Sequence, residues 1–171
     1  MIEAQQTFRR TLEGVQSWIP AKAYGHESKF QNDLQEFLDT YLNDGSGGMG
    51  LGMGMQHNYV VQRERGKARG DVVVDDVVGI ELKRDLSNDQ VNTLRGQIGN
   101  YMDSYPFVIV CACGIDDMDG WRSLKNRYER MGGGMLGESA VTFVHKEKAR
   151  YGGEPDVGVG RDPIGEDLYW P

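Results

Sequence analysis

The chain is poor in several features that would place a protein quickly. It has only two cysteines in 171 residues, too few for a disulfide framework. They are Cys111 and Cys113, in "VIVCACG". At i and i+2 on a strand they point the same way and suit a disulfide badly. They read as buried free thiols, which fits a reducing cytoplasm. With no second Cys or His pair, they do not make a zinc site. No apolar run reaches the roughly 20 residues of a membrane span, so no membrane partner is expected. The opening "MIEAQQTFRRTLEG" lacks the apolar centre of a secretory signal. A positive balance is also missing, since the formal charge is −7. That excludes coating nucleic acid through an overall field and leaves room only for a local basic groove. There is no internal repeat, no Walker or helicase motif, and no sign of a second domain.

What is present is an ordinary globular composition, 39% hydrophobic and 26% charged, at a length that suits a single domain with a real core. "TFRRTLEGVQSWI" predicts a short helix closed by Pro20. "HESKFQNDLQEFLDTYLND" predicts a stronger one, with Phe30, Leu34, Phe37, Leu38, Tyr41 and Leu42 at helical spacing. "GSGGMGLGMGM", residues 45–55, holds six glycines in eleven positions and reads as a flexible loop. "HNYVVQRERGKARG" begins as a strand. "DVVVDDVVGIELK" reads as two strands around a turn near Asp75 and Asp76. "SNDQVNTLRGQIGNYMDSY" predicts a helix capped by Ser87 or Asn88, with Val91, Leu94, Ile98, Tyr101 and Tyr105 as its stripe.

"PFVIVCACG" lacks alternation and suits a strand covered on both faces. "DGWRSLKNRYERM" predicts a helix with Trp121, Leu124, Tyr128 and Met131 on one side, and "AVTFVHKEK" a last strand. From Tyr151 the chain is rich in Gly, Pro and Asp, so an irregular tail over 151–171 is expected, with Tyr169 and Trp170 its best anchors. The expected order is α-α-β-β-β-α-β-α-β. That makes an α/β fold, an α+β mixed sheet with helices packed against it.

The charges around the hairpin carry the chemistry. A two-residue turn at Asp75-Asp76 would pair Asp71 with Ile80. A three-residue turn, or a bulge at Gly79, would set Asp71 opposite Glu81. Glu81 and Lys83 share a face, and Ile80 and Leu82 point the other way, into a core. Two carboxylates so close repel unless a cation lies between them. Hard oxygen ligands of this kind suit Mg²⁺, with Mn²⁺ as a substitute, and phosphate oxygens can complete its shell. A lysine beside a metal-bound water can orient it or balance charge on a phosphate. The competing interpretation makes Asp71 a turn residue and Glu81 and Lys83 the solvated face of an edge strand.

A basic run, Arg63, Arg65, Lys67 and Arg69, leads straight to Asp71. On a persisting strand all four emerge on one face, where phosphate contacts would hold DNA over the acids; a charged guard on an exposed edge is the plainer alternative. Gly96 and Gly99 each cost a helix about 1 kcal/mol. Close backbone packing is the expected reason, and close approach of a phosphate the other.

Asp71 followed by Glu81-Leu82-Lys83 at the end of the next strand resembles the PD-(D/E)XK nuclease superfamily. Gly70 stands where that motif has its proline. "QIGNY", Gln97 to Tyr101, resembles the QxxxY motif of RecB-type nucleases, and i and i+4 share a helix face. The resemblance covers about residues 26–113. It implies a restriction-endonuclease-like core and a metal-dependent deoxyribonuclease, an activity of DNA recombination, repair or restriction. It implies that Asp71 and Glu81 hold Mg²⁺ with the Leu82 carbonyl, that Lys83 assists the attacking water, and that Gln97 and Tyr101 support the site. It also implies a further acid on the preceding helix. Glu27, in the first turn, is preferred to Glu36. DNA is the implied partner, and a second copy or a separate motor or recombination protein is compatible with it. The rival expectations are a DNA-binding or assembly module that keeps this fold without cutting, and a protein adaptor with a chance motif.

Overall fold

The structure is a computed structural model that describes residues 2–44, 57–63, 71–131 and 140–153. The glycine-rich stretch 45–55 and the tail beyond 153, with Tyr169 and Trp170, lie outside those residues.

Two helices come first, α1 (Ile2–Ser17) and α2 (Glu27–Asn43). α1 begins at Ile2 instead of Thr7, because "EAQQ" ahead of the apolar stripe contains good helix formers and no breaker. Strands β1 (Val61–Gln62), β2 (Val72–Val74) and β3 (Val78–Leu86) follow. Then come α3 (Asn88–Ser104), β4 (Phe107–Ile115), α4 (Met118–Met131), β5 (Val141–Lys146) and a 3-10 turn, Lys148–Arg150. Ser87 is the cap of α3, and the Gln90 side chain returns to accept its N–H at 2.9 Å. The strand expected from His57 onward is short: among the described residues it covers only Val61 and Gln62.

The five strands form one mixed sheet in the order β1-β2-β3-β4-β5. β1, β2 and β3 are antiparallel, and β3, β4 and β5 are parallel. Period-two alternation gives each strand two apolar faces, so both sides of the sheet are covered. On one side Phe8, Val15, Phe30, Leu34 and Leu38 of α1 and α2 pack on Val72, Val74, Ile80, Leu82, Ile109 and Cys111. On the other, Val91, Leu94, Ile98, Trp121 and Leu124 of α3 and α4 pack on Val73, Val108, Val110 and Ala112. Both cysteines are free and buried. No helix among the described residues is long and apolar enough to cross a membrane.

Near the ends of β3 and β4 the alternation flips. Leu82 and Cys113 face α1 and α2, whereas Leu86 and Ile115 face α3 and α4. Left-handed residues on the two strands, Asp85 (φ 48°) and Gly114 (φ 84°), make the turn. Gly79 has a different reason for lacking a side chain, since a methyl there would overlap the Tyr105 ring. Gly96 and Gly99 do not follow the expected pattern. Both are exposed, and a Cβ on either would meet nothing within 4 Å. Close packing within the described chain is therefore not their reason.

Candidate active site

The hairpin turn uses three residues, Asp75, Asp76 and Val77, so Val74 pairs with Val78 and Val72 with Ile80. Asp75 and Asp76 take φ of 53° and 54°, a conformation that aspartate tolerates better than most residues. Continuing this register by one residue sets Asp71 across from Glu81. Directly opposed residues hold their Cβ atoms about 5 Å apart.

Among the described residues β2 spans only Val72–Val74 while β3 runs on to Leu86, so beyond Ile80 no described strand pairs with this side of β3 and the two part as a fork. The N–H groups of Leu82 and Arg84 point into it. Each finds a carboxylate instead of a strand. Leu82 donates to Asp71 Oδ2 at 2.8 Å, and Arg84 donates to Glu27 Oε2 at 3.2 Å, from the first turn of α2. The N–H and C=O of one residue leave a strand on the same side, so the Leu82 carbonyl also opens on the fork.

Glu81 and Lys83 project from the same face of β3. Glu81 is 1% exposed and Lys83 8%, so neither belongs to a solvated edge. α3 covers them. Lys83 Nζ lies 2.5 Å from Glu81 Oε1 and 3.6 Å from Glu27 Oε1. Tyr101 stands near Glu81 from the α3 side. Asp71, Glu81, Glu27, Lys83 and Tyr101 thus converge, brought together by a hairpin register, an open strand edge and the starts and faces of two helices.

The charges in this space act on one another. Burial, and then the Glu81 charge, push the Asp71 carboxyl up to about 7, against the pull of the Leu82 N–H and Lys83. Burial by itself would lower the Lys83 ammonium. The nearby Glu81 and Glu27 outweigh it and hold Lys83 above its ordinary value. Burial, the Glu81 charge and the hydrogen bond to Glu81 raise the Tyr101 phenol. At neutral pH Lys83 is therefore an ammonium and Tyr101 a neutral donor.

The other expected residues fall in several places. Gln97 sits one turn before Tyr101, half-buried, and its Oε1 is enclosed without a hydrogen-bond donor among the described residues. Glu36 is exposed on α2, and none of the contacts at the fork involves it; Glu27 is the acid that reaches β3. Arg63 donates to Gln31 Oε1 at 2.7 Å and also to Asn32 Oδ1, both on α2. Arg65, Lys67 and Arg69 lie outside the described residues, and with them the shared face expected of the four. The amides of Leu82 and Arg84 were not foreseeable as partners, because only the early end of β2 frees them.

Among the described residues no three His, Cys, Asp or Glu side chains stand together at metal-holding separation. At the fork Glu81 Oε1 faces Lys83. A cavity of about 210 Å³ lies elsewhere, between the end of α1 and the β5 region, lined by Gln16, Pro20, Val144, Lys146 and Tyr151. Lys146 there donates to the Gln16 carbonyl at 2.7 Å, which caps the end of α1. None of the fork residues lines it. In comparisons with known proteins, no family model, no curated protein and no solved structure matches this chain.

Proposed function

We propose that the protein is a metal-dependent nuclease of the PD-(D/E)XK type that hydrolyses phosphodiester bonds in DNA. The observation that carries this reading is the fork itself. Asp71 stands in register with Glu81 where β2 leaves β3, and Lys83 and Glu27 close the same space.

The donor set fits a hard divalent cation. Asp71 and Glu81 supply carboxylate oxygens, Glu27 stands beside them, and the Leu82 carbonyl opens on the same gap. Burial first, and the Glu81 charge after it, raise the Asp71 carboxyl that would join the ion. Mg²⁺ held there, with Mn²⁺ as its substitute, would polarise a phosphate oxygen and acidify a bound water.

The chain's own residues then have distinct tasks. Lys83, kept protonated by its neighbours, orients the attacking water and balances charge gathering on the phosphate, and does not itself take a proton. Tyr101 remains a donor and fixes the Glu81 carboxylate. Gln97, one turn earlier, offers its amide to the backbone of the nucleic acid. Arg63, with Arg65, Lys67 and Arg69, supplies phosphate contacts that hold the duplex in place. The restriction-endonuclease-like core belongs to the same proposal, because an antiparallel hairpin joined to a parallel pair is the frame the motif requires.

The test is one incubation of purified protein with supercoiled, linear, single-stranded and branched DNA, with Mg²⁺, with Mn²⁺ and with EDTA. Cleavage that needs the divalent ion supports the proposal. DNA binding without cleavage on every substrate would replace it with a non-cutting DNA-binding or assembly module. Neither binding nor cleavage would leave a protein adaptor.

A further inference from the structure

The fork already contains a cation. Lys83 Nζ is 2.5 Å from Glu81 Oε1 and 3.6 Å from Glu27 Oε1. Both partners are acids assigned above to the cation. Lys83 is 8% exposed and Glu81 is 1% exposed, so both side chains lie largely out of bulk water. A buried carboxylate needs a compensating charge nearby. In the described arrangement the chain itself supplies one to Glu81. Among the described residues Asp71 has no such ion pair; it accepts the Leu82 N–H.

From this we infer that Lys83 is the resident counter-ion of the fork and competes with the divalent cation for Glu81. This deepens the proposal above and rests on its reading of the fork as a cation site. An ammonium 2.5 Å from Glu81 Oε1 weakens the hold of that carboxylate on a divalent ion, because the two cations repel each other across one carboxylate. Binding therefore favours a Lys83 that has swung off Glu81. Its stem is unbranched and can do so about its own torsions. Displacement has a second effect. It turns the ammonium away from a carboxylate and towards the space where water and phosphate sit. One side chain thus closes the site in the free protein and serves it in the loaded one, and metal affinity is held down as a result.

The inference makes an unusual prediction for a residue assigned to catalysis: removing it should tighten metal binding. Mn²⁺ is titrated into wild type, Lys83→Met and Lys83→Gln, and free Mn²⁺ is followed by electron paramagnetic resonance. Met keeps the length and apolar stem without the charge. Gln can still donate to Glu81 and guards against loss of fold in the Met variant, with far-ultraviolet circular dichroism as the check. The expected result is affinity at least tenfold tighter for both variants than for wild type. Equal or weaker affinity in folded variants, beside a wild type that binds, overturns the competition and leaves the cation site standing. No binding by any of the three proteins overturns both. Binding by the variants alone supports the competition, and cleavage by wild type then decides the nuclease reading separately.

Discussion

Replacing Asp71 by Asn should stabilise the metal-free protein, and the gain should depend on pH. The folded carboxyl is pushed from 3.8 up to about 7. A carboxyl with a raised folded value contributes stability that is full below its unfolded value and is lost as pH rises through the folded one. Metal-free wild type should therefore weaken between about pH 4 and pH 7 on account of this group. About three pH units at 1.36 kcal/mol each make the charged form cost about 4 kcal/mol at pH 8. At pH 5 the folded group is protonated, and the cost falls to about 1–2 kcal/mol, the work of protonating a group whose unfolded value is lower.

Asn resembles the protonated acid, and its carbonyl can still accept the Leu82 N–H. The advantage of the variant should thus be about 2–3 kcal/mol larger at pH 8 than at pH 5. For a chain of this size that is a change of about 5–10 °C in the difference between the two melting temperatures. Thermal melts of both proteins in EDTA at the two pH values measure it. A variant less stable than wild type at pH 8, or equally displaced at both pH values, would show that Asp71 carries no repulsion and is only a turn residue.

Other consequences can be checked in parallel. Lys83→Ala should abolish DNA cleavage while circular dichroism shows a folded protein; activity within a few-fold of wild type would remove Lys83 from the chemistry. Replacing Arg63, Arg65 and Lys67 by Ala should weaken DNA binding and flatten its salt dependence by about 0.9 in log–log slope for each phosphate that is no longer neutralised. An unchanged slope would assign the strip to solvent or to a protein. Gly96→Ala with Gly99→Ala should raise stability by about 2 kcal/mol, since neither position is crowded and alanine is the better helix former. If the same pair weakens DNA binding in a filter or anisotropy assay, the bare backbone of α3 lies against the nucleic acid.

Much of the sheet and its helices was legible in the sequence because the apolar periods were clean. The stripe of Val91, Leu94, Ile98, Tyr101 and Tyr105 is buried as its spacing predicts. "FVIVCACG" is covered on both faces. The hairpin left two registers open, since Asp75-Asp76 serves a two-residue or a three-residue turn equally well. Only the observed pairing of Val74 with Val78 chooses between them, and that choice puts Asp71 beside Glu81. Burial of Glu81 was not legible, because alternation tells which face a residue takes and not what covers that face. α3 does so, with Tyr101 above the acid. The link from Glu27 to the Arg84 amide spans 57 residues, and no local pattern announces it. The flip at Asp85 and Gly114 was hidden for a related reason: two strands turn together, and neither carries a turn motif.

The claim beneath all of this is that Asp71 and Glu81 hold one cation between them. Isothermal calorimetry of Mn²⁺ into wild type and Asp71→Ala, at pH 8, tests it most directly. Wild type should bind saturably, with at least one ion per chain, and the variant should lose at least tenfold in affinity. Equal binding by the two proteins would contradict it.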